Sequence, residues 1–146
     1  MKFSNLPNDT IVVDTVRLLL QVRSNLGDST TMINGTIYRV TSEWGDNVNI
    51  DSSWDVRSNI DYTAATSLDF SISSADSATI ALDLPVELVD IWRDTVTAGQ
   101  QNFGLFFDYQ SADQIIEFYS LENSTIDVLP RMVFIYKDTS TDTGGI

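Results

Sequence analysis

The clearest pattern in the chain lies between Ala78 and Tyr109, where strand and helix signals follow one another. From Ala78 to Leu84 apolar and polar residues alternate with the period of two that a half-buried strand requires. Pro85 suits the first turn of a helix and Gly99 suits its end. The apolar side of that helix carries Leu88, Ile91, Trp92 and Val96. We therefore predict a strand followed by one short helix over about 85–97, with Trp92 as a core anchor rather than a ligand-binding residue.

Two later segments have apolar residues on both of their alternating faces. In 103–109, Phe106 faces away from the other aromatic and aliphatic residues. In 131–137, Val133 and Ile135 face away from three further apolar side chains. Strands that are covered on both faces are typical of the interior of a sheet. We therefore predict that both segments form central strands.

The other segments predict shorter or simpler strands. Apolar residues at the even positions of Val12–Val22 indicate a long first strand. Asn34–Gly35 is a turn signal before a strand over Thr36–Ser42. Alternation in 68–72 and 116–119 indicates two more strands.

Together these segments predict about seven or eight strands and one short helix. We therefore predict an all-β fold, a jelly-roll-like β-sandwich of two antiparallel sheets. A single domain would span residues 1–138. The polar tail over 139–146 has almost nothing to bury, and we expect it to be disordered in isolation.

A stretch without clear periodicity, residues 43–65, follows the predicted second strand. Long aperiodic loops in compact domains are more often functional than idle. Aromatic faces in such a loop can stack against sugar rings while polar groups bind the hydroxyls. The residues that we assign to a glycan-binding site are Trp44, Trp54, Tyr62 and Arg57. An acidic polysaccharide would need basic partners, and Arg39 and Arg57 are the basic residues close by. The alternative is that these aromatic side chains fold back as a hydrophobic plug.

The same stretch offers hard oxygen ligands at close spacing. These are Asp46, Asn47, Asn49 and Asp51. Calcium is the ion that carboxylate and amide oxygens of this kind suit. The alternative is an ordinary Asp/Asn-rich turn, since the loop lacks EF-hand spacing. We expect no other cofactor.

Composition narrows the chemistry further. The 146 residues include no cysteine and no histidine, which excludes disulfides, thiolate metal sites and Ser–His catalysis. The formal net charge of −13 repels phosphate backbones, so we expect no nucleic-acid partner. No apolar run approaches the roughly 20 residues that span a bilayer, and the first residues lack the apolar core of a signal peptide. We expect a non-enzymatic protein.

Several short motifs resemble, in one order along the chain, those of the DNRLRE (disaggregatase-related) domain family. Residues 15–22 (TVRLLLQV) resemble that family's "A-T-L-R-L-Y-V" strand, and 37–44 (IYRVTSEW) resemble "V-Y-R-V-T-S-x-W". Residues 80–92 are similar to "V-x-I-D-V-T-x-L-V-x-x-W", and 130–136 (PRMVFIY) to "P-R-L-V-V-x-Y". The resemblance implies a sandwich like that of carbohydrate-binding modules, found in extracellular and virion proteins.

The start of the chain departs from that family's pattern. Family members generally carry one or two strands before the segment that Phe3–Pro7 resembles, whereas this sequence begins at Met1. A sandwich without its first strand exposes unpaired backbone groups, which are a template for another strand. We expect a neighbouring subunit to cover that edge by strand or tail exchange. The alternatives are a rearranged tail or upstream sequence.

Two functions follow as hypotheses. The first is a structural or assembly protein of a virion, such as a capsid decoration, tail or fibre subunit, whose partners are other protein subunits. The second is a carbohydrate-binding module of a secreted polysaccharide-active protein, with a polysaccharide as partner. The first places the protein in the virion and the second outside the cell.

Overall fold

The structure is a computed structural model that describes residues 6–28, 30–42, 61–73, 75, 77–97, 100–109, 114–119 and 124–136. Strands make up most of these residues. In chain order the elements are β1 (Val13–Leu26), β2 (Met32–Val40), β3 (Tyr62–Ser73), β4 (Thr79–Leu84), α1 (Glu87–Arg93), β5 (Leu105–Tyr109), β6 (Ile115–Phe118), a 3-10 turn (Ile126–Val128) and β7 (Arg131–Tyr136).

The strands form two antiparallel sheets, so the predicted all-β sandwich is confirmed. In the first sheet β1 lies between β4 and two shorter strands, because β7 pairs with its first half and β6 with its second half. The second sheet has the order β3-β2-β5. The long strand β1 therefore pairs with each of the three other strands of the first sheet.

The hydrophobic core lies between the two sheets and is built on the alternation of β1. Val16, Leu18, Leu20 and Val22 are at most 2% exposed, as the sequence pattern predicts. Burying an aliphatic side chain of this size stabilises the fold by roughly 1.5–3 kcal/mol relative to leaving it exposed. The second sheet contributes Ile33, Ile37, Phe70 and Ile72 from its inner face. Trp92 of α1 is 2% exposed and belongs to the same cluster.

The helix is shorter than the predicted span of about 85–97. It runs from Glu87 to Arg93, and Asp94 already has extended backbone angles. The Asp94 carboxylate accepts the backbone N–H of Val96 at 3.0 Å and that of Thr97 at 2.9 Å. Asp side chains that bond to the backbone in this way compete with helix continuation. Val96 is consequently 90% exposed, so its prediction on the buried helix face is wrong.

The turn predicted at Asn34–Gly35 is wrong as well, because both residues lie inside β2. A Cβ on Gly35 would lie 2.5 Å from the carbonyl oxygen of Asp108 and 2.7 Å from the ring of Phe70. Phe70 is the cross-strand partner of Gly35, and its ring occupies the space that a side chain would fill. Glycine is therefore required here by close packing within the sheet and not by a turn.

Both segments that were predicted as central strands lie at sheet edges among the described residues. The segment 103–109 contains β5, which pairs only with β2. The last strand, β7, pairs only with β1. The apolar pattern of these two strands thus predicts more covered surface than their neighbours among the described residues provide.

Candidate functional site

The predicted glycan-binding residues are only partly within the described structure. Tyr62 is the first residue of β3 and is 42% exposed. The other glycan residues, Trp44, Trp54 and Arg57, lie outside the described residues, and so does the polar tail over 139–146. The predicted calcium ligands Asp46, Asn47, Asn49 and Asp51 also lie outside them. In the part of the chain that is described, no group of three or more acidic side chains is placed to hold a metal ion.

Both ends of the aperiodic stretch are fixed to each other beside Tyr62. The backbone N–H of Thr41 donates to the carbonyl of Asp61 at 2.8 Å. Tyr62 begins β3 directly after Asp61, and β2 ends at Val40 directly before Thr41. The predicted aperiodic stretch over 43–65 therefore ends earlier than expected, since residues 62–65 belong to β3, while residues 43–60 lie outside the described residues.

Tyr62 packs against two aromatic rings that were not assigned to a binding site from the sequence. Its ring centroid lies 4.8 Å from that of Tyr38 on β2 and 5.0 Å from that of Phe106 on β5. Tyr38 and Phe106 are cross-strand partners with centroids 6.4 Å apart. We call Tyr38, Tyr62 and Phe106 the aromatic triad. The only sequence signal for Phe106 was that it faces away from the other apolar residues of its strand. No sequence signal pointed to Tyr38.

A bulge in β3 puts Tyr62 on the same face as the rest of the triad. Leu68 opposes Ile37 and Thr63 opposes Arg39, so five steps along β3 match two along β2 and three residues are extra. An odd number of extra residues reverses which face later side chains occupy. Leu68 packs against the core, and without the bulge Tyr62 would share its inward face. Thr66 within the bulge has a φ of 64°, a left-handed conformation that marks the distortion.

A polar row lies next to the triad on the outer face of the second sheet. Thr36, two residues before Tyr38 on β2, is flanked by Asp69 on β3 and Asp108 on β5. The Thr36 hydroxyl donates to Asp69 Oδ1 at 2.7 Å. Arg39 alternates to the opposite face and is 8% exposed, where burial lowers the pKa of its guanidinium. Of the two basic residues expected near a bound polysaccharide, Arg39 is therefore not on this surface, and Arg57 lies outside the described residues.

The outer face of the first sheet has a different character around β7. On this face Val133 and Ile135 are 38% and 44% exposed. Val133 opposes Arg17 and Ile135 opposes Thr15 on β1. Aliphatic side chains on the outer face of an edge strand combine apolar surface with unpaired backbone groups, which is a template for pairing with another chain. We call the outer side of β7, with Val133 and Ile135, the β7 edge.

Three other edge strands, β3, β4 and β6, carry features that discourage pairing with another chain. On β4, Asp83 forms a bidentate ion pair with Arg17, with Nε–Oδ1 and Nη2–Oδ2 distances of 2.6 and 3.0 Å. This hydrogen bond from Arg17 lowers the pKa of Asp83. β3 has the bulge, and β6 is only four residues long. Charges, bulges and short length are the means by which proteins protect sheet edges; β7 has six residues and a single charge, at Arg131.

The shifted carboxyl groups among the described residues serve turns and ion pairs. Hydrogen bonds from the hydroxyl and N–H of Thr30 and from the hydroxyl of Thr31 lower the pKa of Asp28. Hydrogen bonds from Thr97 and Val96 lower the pKa of Asp94. Carboxyls of this kind stay ionised and are poor proton donors near neutral pH.

A small cavity lies between the sheets and is lined by apolar side chains that include Leu20, Ile72 and Phe107. Its volume is about 40 Å³, room for roughly three water molecules at about 10–15 Å³ each. It is therefore too small and too apolar to hold a sugar or a reacting substrate. The surfaces described above, and not this cavity, are the candidates for binding.

In the described residues no helix has both the length and the apolar character that crossing a membrane requires. No family model matches the chain, and no curated protein or solved structure matches it either.

Proposed function

We propose that this chain is a non-catalytic structural subunit of a virion assembly, such as a capsid decoration, tail or fibre protein, and that copies associate through the β7 edge. The observation that carries the proposal is the mismatch between the sequence of β7 and its position. Val133 and Ile135 give β7 an apolar second face, whereas an antiparallel strand with one face in water normally carries polar residues there. Within one chain β7 pairs only with β1 among the described strands.

Association at this edge would supply a second neighbouring strand for β7. A strand from a neighbouring copy would satisfy the outward backbone groups of β7. The side chains of Val133 and Ile135 would then lose water-exposed apolar surface at about 25 cal/mol per Å². The edges of β4, β3 and β6 fit such pairing less well, because of the Arg17–Asp83 pair, the β3 bulge and the shortness of β6 respectively.

The chemistry of the chain supports a non-catalytic role. Histidine and cysteine, which supply most general bases and thiol nucleophiles, are absent from the sequence. The shifted carboxyls Asp28, Asp83 and Asp94 have lowered pKa values, whereas a general acid needs a raised one.

The test is the oligomeric state of the purified chain, measured by light scattering across a dilution series into the micromolar range. We expect an oligomer for the native chain and a monomer for the double variant Val133→Lys, Ile135→Lys, with an unchanged circular dichroism spectrum. Thr79→Lys, Ala81→Lys is the matched control, since it places the same two added charges at exposed positions of β4. A monomeric native chain, or equal loss of association in the control, would contradict the proposal.

The virion setting has its own test, which is the position of the gene. Neighbouring genes for capsid and tail proteins would support it, and neighbouring genes for glycan-degrading enzymes would contradict it.

A second candidate function, a carbohydrate-binding module, is favoured by the aromatic triad. Tyr62, which we assigned to glycan binding from sequence, is exposed and packs beside Tyr38 and Phe106. Exposed aromatic rings on one sheet face are the usual apolar component of sugar binding. The candidate is tested by binding of the chain to any immobilised oligosaccharide.

A further inference from the structure

The outer face of the second sheet combines two rows of side chains that a sugar could use together. The triad of Tyr38, Tyr62 and Phe106 spans all three strands of the sheet. The row of Asp69, Thr36 and Asp108 spans the same three strands. On β2 and β5 the rows are two residues apart, which corresponds to about 7 Å, whereas Tyr62 opposes Val40 and lies four residues, about 14 Å, from the level of the polar row.

We propose that this face binds an uncharged glycan of two or more units, with one sugar ring against the exposed face of Tyr62 and the hydroxyls of an adjoining unit donating to the carboxylates of the polar row. The proposal rests on the second candidate function above and specifies its site and its class of ligand. Sugar rings have apolar C–H faces that suit an aromatic ring, while their hydroxyl groups suit carboxylate acceptors.

Charge selects the class of glycan. Asp69 and Asp108 flank the triad, and the whole chain carries a net charge of −13. A uronic-acid polymer would bring carboxylates against these groups, and like charges at close range repel one another. Arg39, which could offset that repulsion, is 8% exposed and lies on the opposite face of β2. An uncharged hexose or pentose polymer meets no such penalty.

The site depends on the β3 bulge, which distinguishes it from incidental surface aromatics. Three extra residues in β3 carry Tyr62 to the outer face. Bulges of this kind re-aim a side chain and often lie beside functional sites. The bulge holds Thr66 in an unfavourable left-handed conformation (φ 64°). The structural result of the bulge is that Tyr62 joins Tyr38 and Phe106 on the outer face.

The experiment measures binding of the native chain to immobilised six-unit oligosaccharides by biolayer interferometry. The probes are gluco-, manno-, galacto- and xylo-oligosaccharides as uncharged ligands and oligoguluronate as an acidic one. We expect binding to at least one uncharged probe, weakened about tenfold or more by Tyr62→Ala. Tyr136→Ala is the matched control, since Tyr136 is an exposed tyrosine of the first sheet, and its binding should equal that of the native chain.

A second variant keeps the result clear if Tyr62→Ala alters folding. Asp69→Asn retains the shape of an exposed side chain and removes one carboxylate, so we expect it to weaken binding of the uncharged probe and to reduce exclusion of oligoguluronate. Binding of an uncharged probe that neither variant changes would overturn this site and leave the carbohydrate-binding function standing. Binding of oligoguluronate alone would overturn the ligand class. Absence of binding to every probe would overturn both the site and the second candidate function.

Discussion

The outer faces of the two sheets differ in whether their apolar side chains have partners within the chain. On the second sheet, Tyr38, Tyr62 and Phe106 contact one another through their rings. On the first sheet, Val133 and Ile135 remain substantially exposed on an edge strand. Aromatic rings that pack together contribute to the stability of the single chain, whereas apolar surface that stays in contact with water contributes only when association covers it. The difference suggests a ligand-binding face on one side of the sandwich and an assembly edge on the other.

The largest effect is expected on the inner side of the second sheet, where the support of the triad can be broken. Gly35→Val should lower the free energy of unfolding by about 3 kcal/mol or more, because its side chain meets the Asp108 carbonyl and the Phe70 ring. The neighbouring control Asn34→Val occupies an exposed strand position and should change it by less than about 0.5 kcal/mol. Both values come from urea unfolding; equal effects would mean that the sheet relaxes around Gly35.

A medium effect should separate the two outer faces directly. Tyr38→Ala removes a half-buried ring that contacts two others, and we expect a loss of about 1–2 kcal/mol in the free energy of unfolding. Val133→Ala on the first sheet should cost less than about 0.5 kcal/mol in the monomer. Chemical denaturation at a dilution where the chain is monomeric measures both. Similar costs would remove the contrast between the faces.

The smallest effect concerns the exposed pair of Arg17 and Asp83 on the first sheet. Arg17 lowers the pKa of Asp83 from its usual value of 3.8, so the folded chain binds this proton less readily than the unfolded chain. The stabilisation is therefore present above about pH 4 and is lost as the pH falls through the folded pKa. The stability difference between the native chain and Asp83→Asn should shrink in acid.

Arg17→Met provides the control for that titration. Because it removes the same pair, adding it to Asp83→Asn should change the unfolding midpoint little further at any pH. A difference that persists unchanged at pH 2.5 would show that Asp83 acts through something other than its charge.

The parts of the fold that local patterns determine were predictable from the sequence. The alternation of Leu18 and Leu20 in β1 directly reports the buried face of a sheet. The start of α1 followed similarly from Pro85 and the apolar spacing after it. The end of α1 was missed because the Asp94 side chain bonds to backbone groups beyond it, and helix periodicity does not register such a competitor.

The parts that depend on distant partners were not predictable. Gly35 has the sequence of a turn, and its reason for being glycine is the ring of Phe70 on another strand. Tyr38 and Phe106 became site candidates only through pairing of β2 with β5. The strands β5 and β7 were assigned as central because local pattern reports how much of a strand is apolar, and not which chain supplies its neighbour.

The hydrogen bond between Thr41 and Asp61 has a consequence for how this surface can change over generations. It closes the connection between β2 and β3 at its base, while the packing of Tyr38 on Tyr62 fixes the strands on either side. The ends of β2 and β3 are thereby held together by contacts among the described residues themselves. We expect the junction of β2 and β3 to be the position where insertions, deletions and grafted sequences change the two sheets least, since lengthening a connection adds little closure entropy.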